Sequence, residues 1–142
     1  MQAPRKQSIM ITPASYTNGG TATGTVDTRG FRYVEIDLIA ATQDVVSNVP
    51  SVLKLSHSDT TDATNFSDLT GAVGGTDFTA AGSTSAANGY KFCVDMRGRK
   101  RYLKLTVSPR TTQILGAVAN MGRGEEAPTN ATTANVRNLI TI

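Results

Sequence analysis

The chain has no tryptophan, one cysteine and one histidine, and aromatic residues make up only 6% of its 142 positions. Each shortage excludes something. A lone cysteine, Cys93, closes no internal disulfide, so apolar packing must hold the fold together. With His57 as the single histidine, there is no His pair for zinc. Without tryptophan, and with only Tyr16, Tyr33, Tyr90 and Tyr102 as tyrosines, the exposed aromatic platforms of a carbohydrate-binding module are hard to build. No stretch approaches the roughly 18 apolar residues of a membrane-spanning helix. The SIMITPASY stretch after Arg5 and Lys6 lacks the apolar run of a secretory signal. A soluble protein made in the cytoplasm is expected, in which the sequons at Asn65 and Asn130 are chance products of a Thr/Asn-rich chain. No phosphate-binding glycine loop occurs either, because Gly71 to Gly75 lacks the lysine that such loops need. No cofactor or metal is expected.

What is present is alternation. In Phe31 to Ala40, the side chains of Val34, Ile36, Leu38 and Ala40 fall on one face, and Tyr33, Glu35 and Asp37 on the other. That period of two marks a strand with one buried face. Val52–Ser56, Gly89–Met96 and Tyr102–Val107 repeat it. Weaker strand candidates are Ile9–Thr12, Thr21–Asp27, Phe66–Leu69, Asp77–Ala80 and Val136–Ile142. The ILGAVANM stretch, Ile114–Met121, is short and flanked by Gly122 and Gly124; it reads as a buried strand in preference to a helix. Asn18-Gly19-Gly20, Thr28-Arg29-Gly30, Gly74-Gly75 and Asn88-Gly89 are turn signals. The length fits one domain with a real core. Many short strands at spacings near ten residues indicate an all-β single-domain sandwich or jelly roll. Val34, Ile36, Leu38, Leu53, Leu55, Phe92, Val94, Leu103 and Leu105 are its expected core.

The stretch DMRGRKRYLKLTVSP, Asp95–Pro109, concentrates charge. Arg97, Arg99, Lys100 and Arg101 lie between two of the clearest strands, with Gly98 where a hairpin needs positive φ. The formal net charge is +3, and without these four cations it would be +3 − 4 = −1. The basicity is therefore local. Three readings stand: a solvated hairpin tip, a contact with an acidic protein partner, and a nucleic-acid contact. The last is unfavoured, because single-strand binders interleave several aromatics with their cations and only Tyr102 is adjacent.

Two other clusters are weighed and set aside. His57-Ser58-Asp59 holds the residue types of a hydrolase triad, but neighbours on an extended chain point to opposite faces and cannot align. Asp59, Asp62, Asn65 and Asp68 offer oxygens to a hard cation, but not at EF-hand spacing, and such residues also dominate ordinary turns.

The chain ends carry the remaining signal. Gly122–Asn135 has no core-forming residue of any size, and Val136, Leu139, Ile140 and Ile142 follow it. This reads as a C-terminal arm, residues 122–142, attached to a sandwich of residues 1–121. Its apolar tip, through Val136, Leu139 and Ile140, would dock on a neighbouring subunit or close a sheet edge. MQAPRKQ would be a short N-terminal arm.

The pattern VDTRGFRYVEIDL, then VPSVLKLSHSDTTDATNFSDLTG, then NGYKFCVDMRGRKRYLKLTVSP, from Val26 to Pro109, resembles virion structural proteins of tailed bacteriophages. It is most similar to the small head decoration, or cement, proteins. That resemblance implies a non-enzymatic protein on the outside of the capsid, commonly a homotrimer, which braces contacts between capsid subunits. Its partners would be the major capsid protein and copies of itself, and its location the virion. The basic hairpin would then face an acidic capsid surface. A role at the head-to-tail joint or in the tail is the alternative.

Overall fold

A computed structural model describes residues 5–42, 45, 47–82, 89–122, 136 and 138–142. Among them the alternation resolves into nine strands. These are β1 (Lys6–Tyr16), β2 (Ala22–Asp27), β3 (Tyr33–Ala40), β4 (Val52–Ser58), β5 (Ser67–Val73), β6 (Gly89–Asp95), β7 (Tyr102–Ser108), β8 (Gln113–Gly122) and β9 (Asn138–Thr141). No helix among the described residues is long and apolar enough to cross a membrane.

The strands form two sheets, β1-β8-β3-β6-β9 and β2-β7-β4-β5. Within them β1 pairs with β8, β2 with β7, β3 with β6 and β4 with β5, all antiparallel. Each of the first eight strands thus pairs with the one that completes a sum of nine. That is the signature of one long hairpin, bent at β4–β5 and rolled into two layers: a jelly roll. The sequence expectation of an all-β sandwich or jelly roll holds.

The nine expected core side chains are all buried between the layers. In β8, Leu115, Ala117, Ala119 and Met121 point inward, while Ile114, Gly116, Val118 and Asn120 do not. A strand, not a helix, explains that alternation.

Two sequence expectations need correction. Asp77–Ala80 is not a strand. It forms a turn with a single bridge, Gly74 to Phe78, because the Asp77 carboxylate accepts the backbone N–H groups of Gly71 and Val73, each at 2.9 Å. Phe78 then packs edge-on against Phe92 at 5.9 Å. The C-terminal segment is also not an arm throughout, so the domain boundary at 121/122 does not hold for its end. Residues 138–141 add β9 to the sheet, parallel to β6, and Ile140 is buried in the core. Asn138 clamps the entry, accepting from Ala81 N–H at 2.8 Å and donating to the Thr79 carbonyl at 3.0 Å. Ile142 N–H donates to the Cys93 carbonyl at 3.0 Å, and Asp95 N–H to the Ile142 carbonyl at 2.8 Å. Of the two placements expected for this end, the chain takes closure of its own sheet edge. Residues 123–135 lie outside the described residues, as do residues 1–4 of the expected N-terminal arm. Lys6 and Gln7 from that arm belong to β1, opposite Met121 and Asn120.

Gly24 of β2 lies hard against β1 of the other sheet. A Cβ there would sit 2.0 Å from the Met10 carbonyl oxygen. Gly24→Ala should therefore lower the urea midpoint far more than Thr25→Ala on the exposed side of the same strand. Leu105→Ala should cost about 2–5 kcal/mol in urea unfolding, the usual range for truncating a fully buried leucine.

Candidate functional site

The roll brings distant turns to one end. Lys6 stands opposite Met121, Tyr33 opposite both Gly122 and Asp95, and Tyr102 opposite both Asp27 and Ser58. The start of β1, the β2–β3 turn, the β4–β5 loop, the β6–β7 turn and the end of β8 therefore share one end of the sandwich. Backbone bonds lock them: Thr28 N–H donates to the Arg101 carbonyl at 3.1 Å, and Met96 N–H to the Arg32 carbonyl at 2.8 Å.

Of the twelve lysines and arginines among the described residues, eight are at this end. Arg97, Arg99, Lys100 and Arg101 come from the β6–β7 turn, Arg29 and Arg32 from the β2–β3 turn, and Arg5 and Lys6 from the start of β1. Against them stand Asp27, Asp59, Asp62 and Asp95, which gives 8 − 4 = +4, while the other described charges, Lys54, Lys91, Lys104 and Arg110 against Glu35, Asp37, Asp68 and Asp77, give 4 − 4 = 0. The sequence reading found half of this site. Arg5, Lys6, Arg29 and Arg32 escaped it because only the roll makes them neighbours of the hairpin.

The four hairpin cations are not equivalent. Gly98, at φ 74°, makes the turn. Arg101 grips Asp27 with two bonds, Nε to Oδ1 at 2.9 Å and Nη2 to Oδ2 at 2.6 Å. Its guanidinium also covers the Tyr102 ring, 4.8 Å from the centroid. Arg97 grips Asp95, donating from Nε at 2.9 Å and from Nη2 at 2.5 Å to the same Oδ2. These arginines brace their turns. Arg99 and Lys100 are half-buried, and their charged groups meet no carboxylate within salt-bridge distance among the described residues. Arg5, Lys6, Arg29 and Arg32 are exposed and equally unpaired there.

Electrostatics follow the pairing. The hydrogen bond from Arg101 holds the Asp27 carboxyl down to about 2, against an ordinary 3.8. Arg97 does the same for Asp95, again to about 2. His57 lies under the hairpin, where its Nδ1 accepts the Lys100 N–H at 3.4 Å. Burial, then the charges of Lys100 and Arg99, push its pKa below the ordinary histidine value.

The other candidate residues fall elsewhere. Ile140 is in the core, where it is unavailable to a partner. Leu139 is half-buried beside Lys91. Val136 is half-buried too, with its Cγ1 3.8 Å from where a Cβ on Gly89 would be. Ser58 does not meet His57; its hydroxyl accepts the Thr60 N–H at 3.0 Å. Asp62 accepts from Thr64, and Asp68 pairs with Lys54 at 2.8 Å. Among the described residues no group of three or more His, Cys, Asp or Glu could hold a metal ion. Cys93 is buried, which raises its pKa. Neighbouring Tyr33 has a buried hydroxyl without a hydrogen-bond partner. Burial first, then the Cys93 thiol, push its pKa well above the ordinary tyrosine value.

No protein-family profile and no curated protein matches the chain. A search of solved structures finds similarity to a 4-O-methyl-α-glucuronidase of family GH115 with specificity for decorated arabinogalactans. The identity is 11% and the TM-score 0.43, over 87% of this chain and 17% of that one. Similarity at that level carries no argument about function.

The Asp27–Arg101 pair has a pH signature. Because the folded carboxyl titrates near 2 and the unfolded one near 3.8, the stability it contributes is present above 3.8 and lost as pH falls towards 2. In an NMR titration, Arg101→Gln should move the Asp27 midpoint up towards 3.8, and unfolding on acidification should begin at a higher pH than in the wild type.

Proposed function

We propose that the protein is a non-enzymatic structural component of a tailed-bacteriophage virion. It sits on the outside of the capsid, stabilises contacts between capsid subunits, and attaches through its basic end to an acidic surface of the major capsid protein, alongside copies of itself. The observation that supports this most is the concentration of eight cations at one end, while the other described residues carry no net charge. A one-ended charge distribution suits attachment in a fixed orientation, since it steers encounter and sets register. The resemblance of Val26–Pro109 to head decoration proteins supplies the class of partner.

A protein surface is favoured over nucleic acid for two reasons. Tyr102, the aromatic of the basic run, lies under the Arg101 guanidinium and is half-buried, so it offers no free face for a base. Arg97 and Arg101 are also committed to Asp95 and Asp27, which leaves a shorter set of cations than the sequence implies.

Bracing and binding cations can be separated. Changing Arg29, Arg32, Arg99 and Lys100 together to Gln should leave the fold intact. Exposed ion pairs are worth on the order of 0.5 kcal/mol each, so affinity for DNA-free shells of the capsid protein should fall about thirty-fold. Wild-type protein should show no appreciable affinity for DNA or RNA at physiological salt. Tight nucleic-acid binding by the wild type, lost in the Gln variant, would show that the basic end serves a different partner.

A further inference from the structure

His57 is the chain's one histidine, the side-chain type whose ordinary pKa falls between pH 5 and 8. It continues the core face of β4: Leu53 and Leu55 precede it at a spacing of two, and buried Leu103 stands opposite. The imidazole adds a bond that a further leucine there would not. Its Nδ1 accepts the backbone N–H of Lys100 at 3.4 Å, so β4 reaches the β6–β7 turn through a side chain. The rest of that turn is held from within. The Asp95 carboxylate accepts the Arg97 N–H at 3.0 Å, and the Met96 carbonyl accepts the Arg99 N–H at 3.1 Å. Lys100 comes next, and its N–H goes to His57. Arg99 and Lys100 are the two hairpin cations that meet no carboxylate among the described residues. The histidine therefore holds the part of the turn that carries the unpaired charge.

We propose that His57 is a proton-operated latch on the β6–β7 turn, closed while the ring is neutral and released when it takes a proton. An imidazolium carries N–H on both nitrogens and has no lone pair left to accept with. Once Nδ1 is protonated it faces the Lys100 N–H donor against donor, and the bond is lost. Burial opposes a positive ring first. Among the described residues the charges that act on the ring are Lys100 and Arg99 from the turn, which also oppose its protonation, and Asp59 from the β4–β5 loop, which favours it. Its neighbours across the strands, Leu103 on β7 and Ser67 on β5, are uncharged. Lys104 and Asp68 stand opposite Ser56, on the other face of the sheet, where Lys104 covers the Phe66 ring and Asp68 pairs with Lys54. The Arg101 guanidinium is held by Asp27. The balance sets the folded pKa below the ordinary 6.5. The stability that such a group contributes is present above 6.5 and is lost as pH falls through the lowered folded value, so mild acid opens the latch. Arg99 and Lys100 then lose their fixed placement, whatever surface the basic end meets.

The latch does not rest on the capsid reading, and its test needs no partner. In NMR on the full chain, hydrogen-exchange protection of the Lys100 amide, corrected for the intrinsic pH dependence of exchange, should fall about ten-fold or more between about pH 8 and pH 5. The fall should share its midpoint with the His57 ring, below 6.5. The Leu105 amide, in the middle of β7, should keep its protection, which separates opening of the turn from unfolding. His57→Asn puts an amide oxygen near the place of Nδ1 and does not titrate, so its Lys100 protection should be the same at both ends of the range. His57→Phe keeps a planar ring without an acceptor and should leave that amide poorly protected at both. If either variant fails to fold, the wild-type titration decides alone. Lys100 protection that stays constant while His57 titrates, a His57 midpoint at or above 6.5, or an Asn variant that loses protection in acid as the wild type does would overturn the proposal.

Discussion

Every strand of the sandwich gives one face to the core, and that commitment fixes everything else. Side chains alternate with a period of two, so a slip of one residue in β3 would turn Val34, Ile36 and Leu38 into solvent and carry Glu35 and Asp37 inward. The burial of these side chains, and of Leu103, Leu105 and Val107 on β7, holds each register as firmly as it holds the fold. Register in turn decides which residues reach the ends of the strands, and so which charges become neighbours.

The basic end is a product of that geometry. Asp27 and Arg101 are 74 positions apart, yet the β2–β7 pairing places them side by side at adjoining strand ends. Their two bonds tie one turn to another and position the cations that carry no partner. Some of the positive charge thus works inward as bracing, and the rest faces outward. The same end holds His57, whose pKa is pushed below the ordinary histidine value by burial, then by Lys100 and Arg99, and whose Nδ1 accepts the Lys100 N–H beneath the turn.

The strong strands were legible in the sequence because their alternation is local. The nine expected core residues are buried for the same reason. What depended on long-range pairing was not legible. Arg5, Lys6, Arg29 and Arg32 carry no local sign that they join Arg99 and Lys100. The apolar tail gave its need for a partner through Val136, Leu139 and Ile140, but not the location of that partner. The tail splits: Ile140 enters the core, while Val136 stays near the surface beside Gly89. Asp77–Ala80 misled because Phe78 and Ala80 alternate like a strand, whereas the Asp77 carboxylate takes the backbone donors of Gly71 and Val73 and bends the chain.

The nesting of the roll also sets an order of events during folding. The β4–β5 pair is local, whereas Gln7 and Asn120, on β1 and β8, are 113 positions apart. Closing the inner pairs first shortens each successive loop, so the chain can zip outward from its middle at a lower entropic cost than by joining its ends at the outset. On the ribosome, β1 emerges first and finds its partner almost last. Met10 and Ile11, both buried in the finished core, wait until β8 has been made, and β6 waits over a shorter stretch, from Phe92 to Ile140, for β9. The interrupted edge of β1, with Pro13 and its register shifts, then protects the nascent chain: it makes that waiting strand a poor template for the same strand of a neighbouring polypeptide.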